Sequence, residues 1–136
     1  MSWQDILHAQ LGTDEGYRKM PYTDSVGKLT IGVGRNLTDV GLHDDEIALL
    51  LTNDMAAAES VARSLLFVFD NLSDFRKAVV CNMAFNLGSK LGDFHDMLTA
   101  IRASQWDKAA DAMLDSVWAK QVGARATRLA EQMRAG

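Results

Sequence analysis

The chain has 136 residues, of which 48% are apolar and 24% charged, and 14 Lys and Arg against 18 Asp and Glu give a net charge of −4. That composition excludes a disordered polypeptide, and the lack of a basic surplus argues against nucleic-acid binding through the phosphate backbone. A single cysteine, Cys81, excludes an internal disulfide, and apolar runs such as Leu65 to Phe69 are far too short to cross a bilayer.

The length suits one domain. The start, Met1-Ser2-Trp3-Gln4-Asp5, has no basic patch before an apolar run, so no signal peptide is expected. Ser2 followed by Asp5 resembles a capping box, and Trp3, Ile6, Leu7 and Leu11 recur at helical spacing. The pattern predicts a helix over 3–14, ended by Gly16 in a left-handed conformation. From Pro21 to Gly34 the period changes. Leu29, Ile31 and Val33 alternate with Thr30, Gly32 and Gly34, and Asp24-Ser25-Val26-Gly27 has type I turn chemistry. A small antiparallel sheet is expected, confined to about 20–34.

A long helix is expected from Asp44, with acids in its first turn and Ile47, Leu50, Leu51, Ala58, Val61, Ala62 and Leu65 on one stripe. Ser73 should cap a helix over 74–87 that is apolar nearly all round, hence central and buried, with Phe75, Val79, Met83 and Leu87 in the core and Gly88 as C-cap. Shorter helices follow at about 92–103, 106–114 and 122–133.

Several polar positions stand out. Glu15 ends the first helix, where the dipole disfavours its charge; it is either a general acid or a solvated helix-end residue. Asp24 is a turn residue or a second carboxylate. Thr30 shares its strand face with Gly32 and Gly34, which leave open space for a water or a sugar. Asp54 falls in the middle of the apolar stripe and needs a partner, for which Arg35 is the candidate. Asn82 and Asn86 stack one turn apart and either find partners or line a polar cleft. Trp118, Gln121 and Arg125 share one side, while Arg128 reads as a solvated basic residue. The three histidines form no metal-ligand pair with Cys81, so no metal site is expected.

Asp14-Glu15-Gly16, then Asp24, then Thr30-Ile31-Gly32-Val33-Gly34 resembles the phage-type lysozymes of glycoside hydrolase family 24. Glu15, Asp24 nine residues on and Thr30 six beyond it match that family's triad in spacing. The similarity continues through Asn82-Met83-Ala84-Phe85-Asn86, Trp106-Asp107 and Trp118 to Arg128. Arg35 stands where the family often has histidine. The resemblance implies an α+β, mostly α, two-lobed fold. It has a small sheet lobe at about 15–43, a joining helix at about 44–67, and a helical lobe at 68–136 that takes in the N-terminal helix 3–14.

The resemblance also implies an endolysin-like muramidase that cleaves the β-1,4 bond between N-acetylmuramic acid and N-acetylglucosamine in peptidoglycan, with inversion. Glu15 is then the general acid, and Asp24 and Thr30 hold the attacking water. Gly34, Asn86, Gln121 and Arg125 contact substrate, with Arg125 facing the catalytic Glu. No cofactor, metal, nucleic acid or stable membrane insertion is implied. The expected protein is a monomer, made in the cytoplasm and acting on the wall after release, aided by a separate membrane-permeabilising protein. The rival readings are an inactive peptidoglycan-binding domain of the same fold and a zinc-dependent wall amidase or peptidase, the latter disfavoured by the scattered histidines.

Overall fold

The computed structural model describes residues 1–136, which divide into two compact units, Met1–Leu49 and Leu50–Gly136. The architecture is the expected α+β, mostly α, with seven α-helices and one three-stranded antiparallel sheet. No helix is long and apolar enough to cross a membrane.

In the first unit, α1 (Trp3–Glu15) begins at the expected capping box. Ser2 accepts from the Asp5 amide, and the Asp5 carboxylate accepts from the Ser2 amide. The Ser2 hydroxyl and amide hold the Asp5 carboxyl below its ordinary range. Gly16, at φ +75°, ends the helix. No residue of α1 is buried.

The sheet is larger than the alternation predicts. It comprises β1 (Arg18–Thr23), β2 (Leu29–Gly32) and β3 (Arg35–Asn36), ordered β1-β2-β3. β1 carries the only proline, Pro21, without losing its place, because it is an edge strand and its register to β2 slips between Arg18 and Tyr22. β3 is too short to show a period of its own. Its register, Thr30 opposite Asn36 and Ile31 opposite Arg35, is set by the tight turn through Val33 and Gly34.

Helix α2 (Asp44–Leu65) starts in the first unit and continues into the second. In the second unit its Ala58 and Ala62 are buried, and Val61 and Leu65 pack on the core. α3 (Asp74–Leu87) runs between the expected caps, with Ser73 accepting from the Arg76 amide and Gly88 at φ +59°. It is less enclosed than its composition suggests. Val79, Val80, Met83 and Ala84 are buried and Leu87 is partly so, but Phe75 is 65% exposed. Phe75 therefore lies outside the core, because α3 buries one face rather than its whole circumference.

The chain after α3 is more broken than expected. A 3-10 helix occupies Gly88–Asp93, so α4 starts only at His95 and ends at Arg102. α5 (Trp106–Leu114) matches expectation. The helix expected at about 122–133 is α7 (Ala124–Ala135), and an unexpected α6 (Val117–Val122) precedes it, separated by Gly123 at φ +60°. α5 packs against α4 and α7, and α7 also against α3. The core they enclose is rich in methionine, with Met83, Met97, Met113 and Met133 at no more than 1% exposure. Arg76 ties α7 down by donating to the carbonyls of Met133 and Arg134 while stacking 3.8 Å from the Trp106 ring.

Candidate active site

Within the first unit the candidate triad is carried by one helix end and one hairpin. Glu15 is the last residue of α1 and is exposed. Its carboxyl group lies against the backbone of Gly34, where a Cβ would stand 2.8 Å from Cδ and Oε2. Gly34 is at φ +71°. Glycine is thus needed there twice, for its backbone conformation and for the room it leaves.

Asp24 opens the β1–β2 turn, closed by the Gly27 amide donating to the Asp24 carbonyl at 3.1 Å. Its Oδ1 accepts from the amides of Val26 at 3.0 Å and Lys28 at 2.8 Å, while Oδ2 has no partner. Asp24 therefore performs the turn role while leaving one carboxylate oxygen free. Thr30, on β2, is 4% exposed and is the buried polar residue of the chain. Its hydroxyl donates to the Lys28 carbonyl at 3.0 Å, which also accepts from the Asp24 amide at 2.9 Å. Asp24 and Thr30 are thus locked to each other through the main chain of Lys28. Open space flanks Gly32, as expected, but not Gly34, where the Glu15 carboxyl fills it.

Arg35 has a partner that the sequence does not announce. The Arg35 guanidinium donates to Glu46 and to the Gly41 carbonyl, all within the first unit. Glu46 also accepts from the His43 amide at the start of α2. Arg35 and then the His43 amide hold its carboxyl down at about 2. Asp54 takes part in no ion pair and is exposed. Its part of the stripe is not buried, so its charge stays in water and needs no partner.

His43, Asp45 and Glu46 bring possible metal-ligand atoms within 4.8 Å of one another. The Arg35 cation already occupies Glu46 there, which disfavours a second cation.

Within the second unit, the two stacked asparagines of α3 each hold one side chain from the C-terminal helices. Asn86 Oδ1 accepts from Trp118 Nε1 at 2.8 Å, and Trp118 meets Phe94 edge-on with centroids 6.3 Å apart. A cavity of about 650 Å³ opens here, lined among others by Asn86, Trp118, Gln121, Phe94 and Ser116. Asn82 Oδ1 accepts from Arg125, and both border a largely apolar groove of about 610 Å³ with Phe85 and Met55. Arg128 is exposed without an ion pair. Burial raises the Cys81 thiol above its ordinary range, which disfavours the thiolate. Sequence reasoning missed Lys28, which contributes only through its main chain.

The arrangement can protonate from Glu15 and orient a small polar molecule at Asp24 and Thr30. The sequence family described as Phage lysozyme matches residues 12–135. The pre-baseplate central spike protein Gp5 of Enterobacteria phage T4 is 28% identical over 88% of this chain, which spans only 26% of the spike protein's length. A Dictyostelium discoideum protein named "Probable T4-type lysozyme 2" is 26% identical, covering 96% of this chain and 94% of its own. A second one, "Probable T4-type lysozyme 1", is 26% identical over 90% of each chain.

Proposed function

The chain belongs to the phage lysozyme family, and on that premise we propose that it is a muramidase hydrolysing the β-1,4 bond between N-acetylmuramic acid and N-acetylglucosamine in peptidoglycan, with inversion. The observation that carries this reading is the coupling of Asp24 and Thr30 through Lys28, beside the hairpin turn that seats Glu15 on Gly34.

Glu15 is the general acid that protonates the leaving glycosidic oxygen. The water is held by acceptors. Asp24 Oδ1 is already saturated by two amides, so Oδ2 is the atom that takes a proton from water. Thr30 gives its own hydrogen to Lys28, so its oxygen also faces the water as an acceptor. A water donating both hydrogens, one to each, points a lone pair at the anomeric carbon. In this reading the displacement is single, which inverts the anomeric carbon. Gly34, Asn86, Gln121 and Arg125 serve as substrate contacts in this reading.

The test is product analysis on purified peptidoglycan. New reducing ends on muramic acid, absent from a Glu15→Gln variant of unchanged melting temperature, are expected. Binding to the wall without any new reducing end would favour the inactive binding domain instead.

A further inference from the structure

The irregularity in β1 brings a donor-rich side chain onto the face that carries Thr30. Tyr22 stands opposite Thr30, and directly opposed residues of an antiparallel pair point to the same side of the sheet. Continued regularly, the ladder would set Met20 opposite Gly32. Arg18 stands there instead, because four steps of β1 run against two of β2. Pro21 lies inside the slip and has no amide proton to withhold from the ladder. Irregularities of this kind re-aim a side chain and are frequent beside active sites.

The re-aimed side chain is held in place. Arg18 Cζ lies 5.0 Å from the centroid of the Tyr22 ring. A Cβ on Gly32 would meet nothing within 4 Å, so Arg18 borders an opening rather than filling it. Along the chain, Gly32 is midway between Thr30 and Gly34, against which the Glu15 carboxyl rests. The opening is also poor in free donors. The Asp24 carboxylate accepts, and the Thr30 hydroxyl has spent its hydrogen on Lys28. Asn36, opposite Thr30 on the other side, is engaged with Asp39 through both its side-chain oxygen and its nitrogen. A guanidinium has five N–H donors and no acceptor.

We propose that Arg18, propped on the Tyr22 ring, is a further substrate contact: its guanidinium donates to hydroxyl and acetamido oxygens of the sugar bound between Glu15 and Thr30. A glycan offers neutral acceptor oxygens all round each ring, and Asp24 and Thr30 are acceptors that leave them unmet. The inference rests on the peptidoglycan reading above.

The experiment measures equilibrium binding of soluble, peptide-free glycan strands in a Glu15→Gln background, which does not consume them. Arg18→Met keeps an aliphatic stem on the ring and removes every donor. It should bind about three- to tenfold more weakly, the loss of one or two hydrogen bonds. Tyr22→Leu takes away the support of the guanidinium and should lose a similar factor, whereas Tyr22→Phe keeps the ring and should bind as the parent does. Lys19→Met deletes the same charge from β1 outside the registered pairs and should also bind as the parent does. Arg18→Met and Lys19→Met should melt with the parent. Amidating the lactyl carboxylates of the strands should leave the loss in Arg18→Met unchanged, because the proposed acceptors are neutral.

Equal binding by Arg18→Met and the parent overturns the proposal, as does an equal loss in Lys19→Met, which would be an effect of net charge. A loss that disappears on amidated strands overturns it too, since the guanidinium then pairs with a carboxylate. A parent that binds no strands removes the substrate reading together with this inference, whereas a parent that binds them no better than Arg18→Met does removes this inference alone.

Discussion

The Glu15 carboxyl group rests on the backbone of Gly34, with no space for a Cβ between them. Gly32 offers a matched control. It too lies in the left-handed region, at φ +69°, but a Cβ there would meet nothing within 4 Å. Gly34→Ala and Gly32→Ala should therefore share the backbone cost of about 1–2 kcal/mol. Only Gly34→Ala also displaces the Glu15 carboxyl. A shift of this size at a proton donor can cost on the order of a hundredfold in rate. Denaturant titration should find the two variants similarly destabilised, and turnover of peptidoglycan should be much lower for Gly34→Ala.

The pair of Arg35 and Glu46 makes a prediction about acid. The Glu46 carboxyl sits at about 2, well below its ordinary 4.5, chiefly through Arg35. A carboxyl with a depressed folded-state value stabilises the fold above its unfolded value and loses that contribution as pH falls through the folded one. The contribution is complete above about 4.5 and gone below about 2. Glu46→Gln should melt slightly lower than wild type at neutral pH, and the difference should vanish across that acid window. Asp54→Ala should leave the melting temperature unchanged at any pH.

What the residues disclose in advance is what is decided locally. Ser2 with Asp5, Ser73, Gly88 and the turn opened by Asp24 are arrangements of neighbours, and each forms as read. The resemblance that singles out Glu15, Asp24 and Thr30 is local in the same sense, since all three lie on one short stretch of chain at fixed spacing. The rest is settled by tertiary pairing. Arg35 pairs with Glu46 in the first turn of α2, and periodicity carries no such information. β3 exists only because β2 lies beside it. Phe75 continues the apolar pattern of α3 but faces outward. Gly123 breaks the last helix because its φ is positive, whereas a glycine inside a helical pattern can equally be tolerated. The part of Lys28 is invisible in sequence because its peptide group, not its side chain, joins Asp24 to Thr30.

The turn role of Asp24 and its part in the proposed reaction are separated by two substitutions. Asp24→Ala removes the acceptor for two amides and should cost roughly 1–3 kcal/mol in chemical unfolding. Its loss of turnover then mixes disorder with chemistry. Asp24→Asn keeps an oxygen for Val26 and Lys28 and replaces the free oxygen with an amide nitrogen. It should unfold close to wild type while turnover falls, because the water loses its proton acceptor. Normal turnover in a stable Asp24→Asn would remove Asp24 from the reaction and leave it as a turn residue.

In the proposed reaction Thr30 decides the stereochemical outcome. Its hydroxyl is spent on the Lys28 carbonyl and its oxygen remains as an acceptor. Thr30→Val deletes both functions at nearly constant volume. Lys28 keeps its bond from the Asp24 amide, so the stability loss should be only about 1 kcal/mol while turnover falls steeply. Thr30→Glu is the more revealing change, since it places a carboxylate where the water is held. Inversion requires room for water, with the acting carboxyl groups about 6.5–9.5 Å apart, whereas retention brings them to about 5–5.5 Å. A longer acid at position 30 shortens the gap to the anomeric carbon and can attack it directly. Mass spectrometry should then find a covalent sugar adduct, or proton NMR a product of the opposite anomer to wild type. Either result locates the water site of the native enzyme at Thr30. A Thr30→Glu variant that turns over at the normal rate with an unchanged anomer would remove this face of β2 from the reaction.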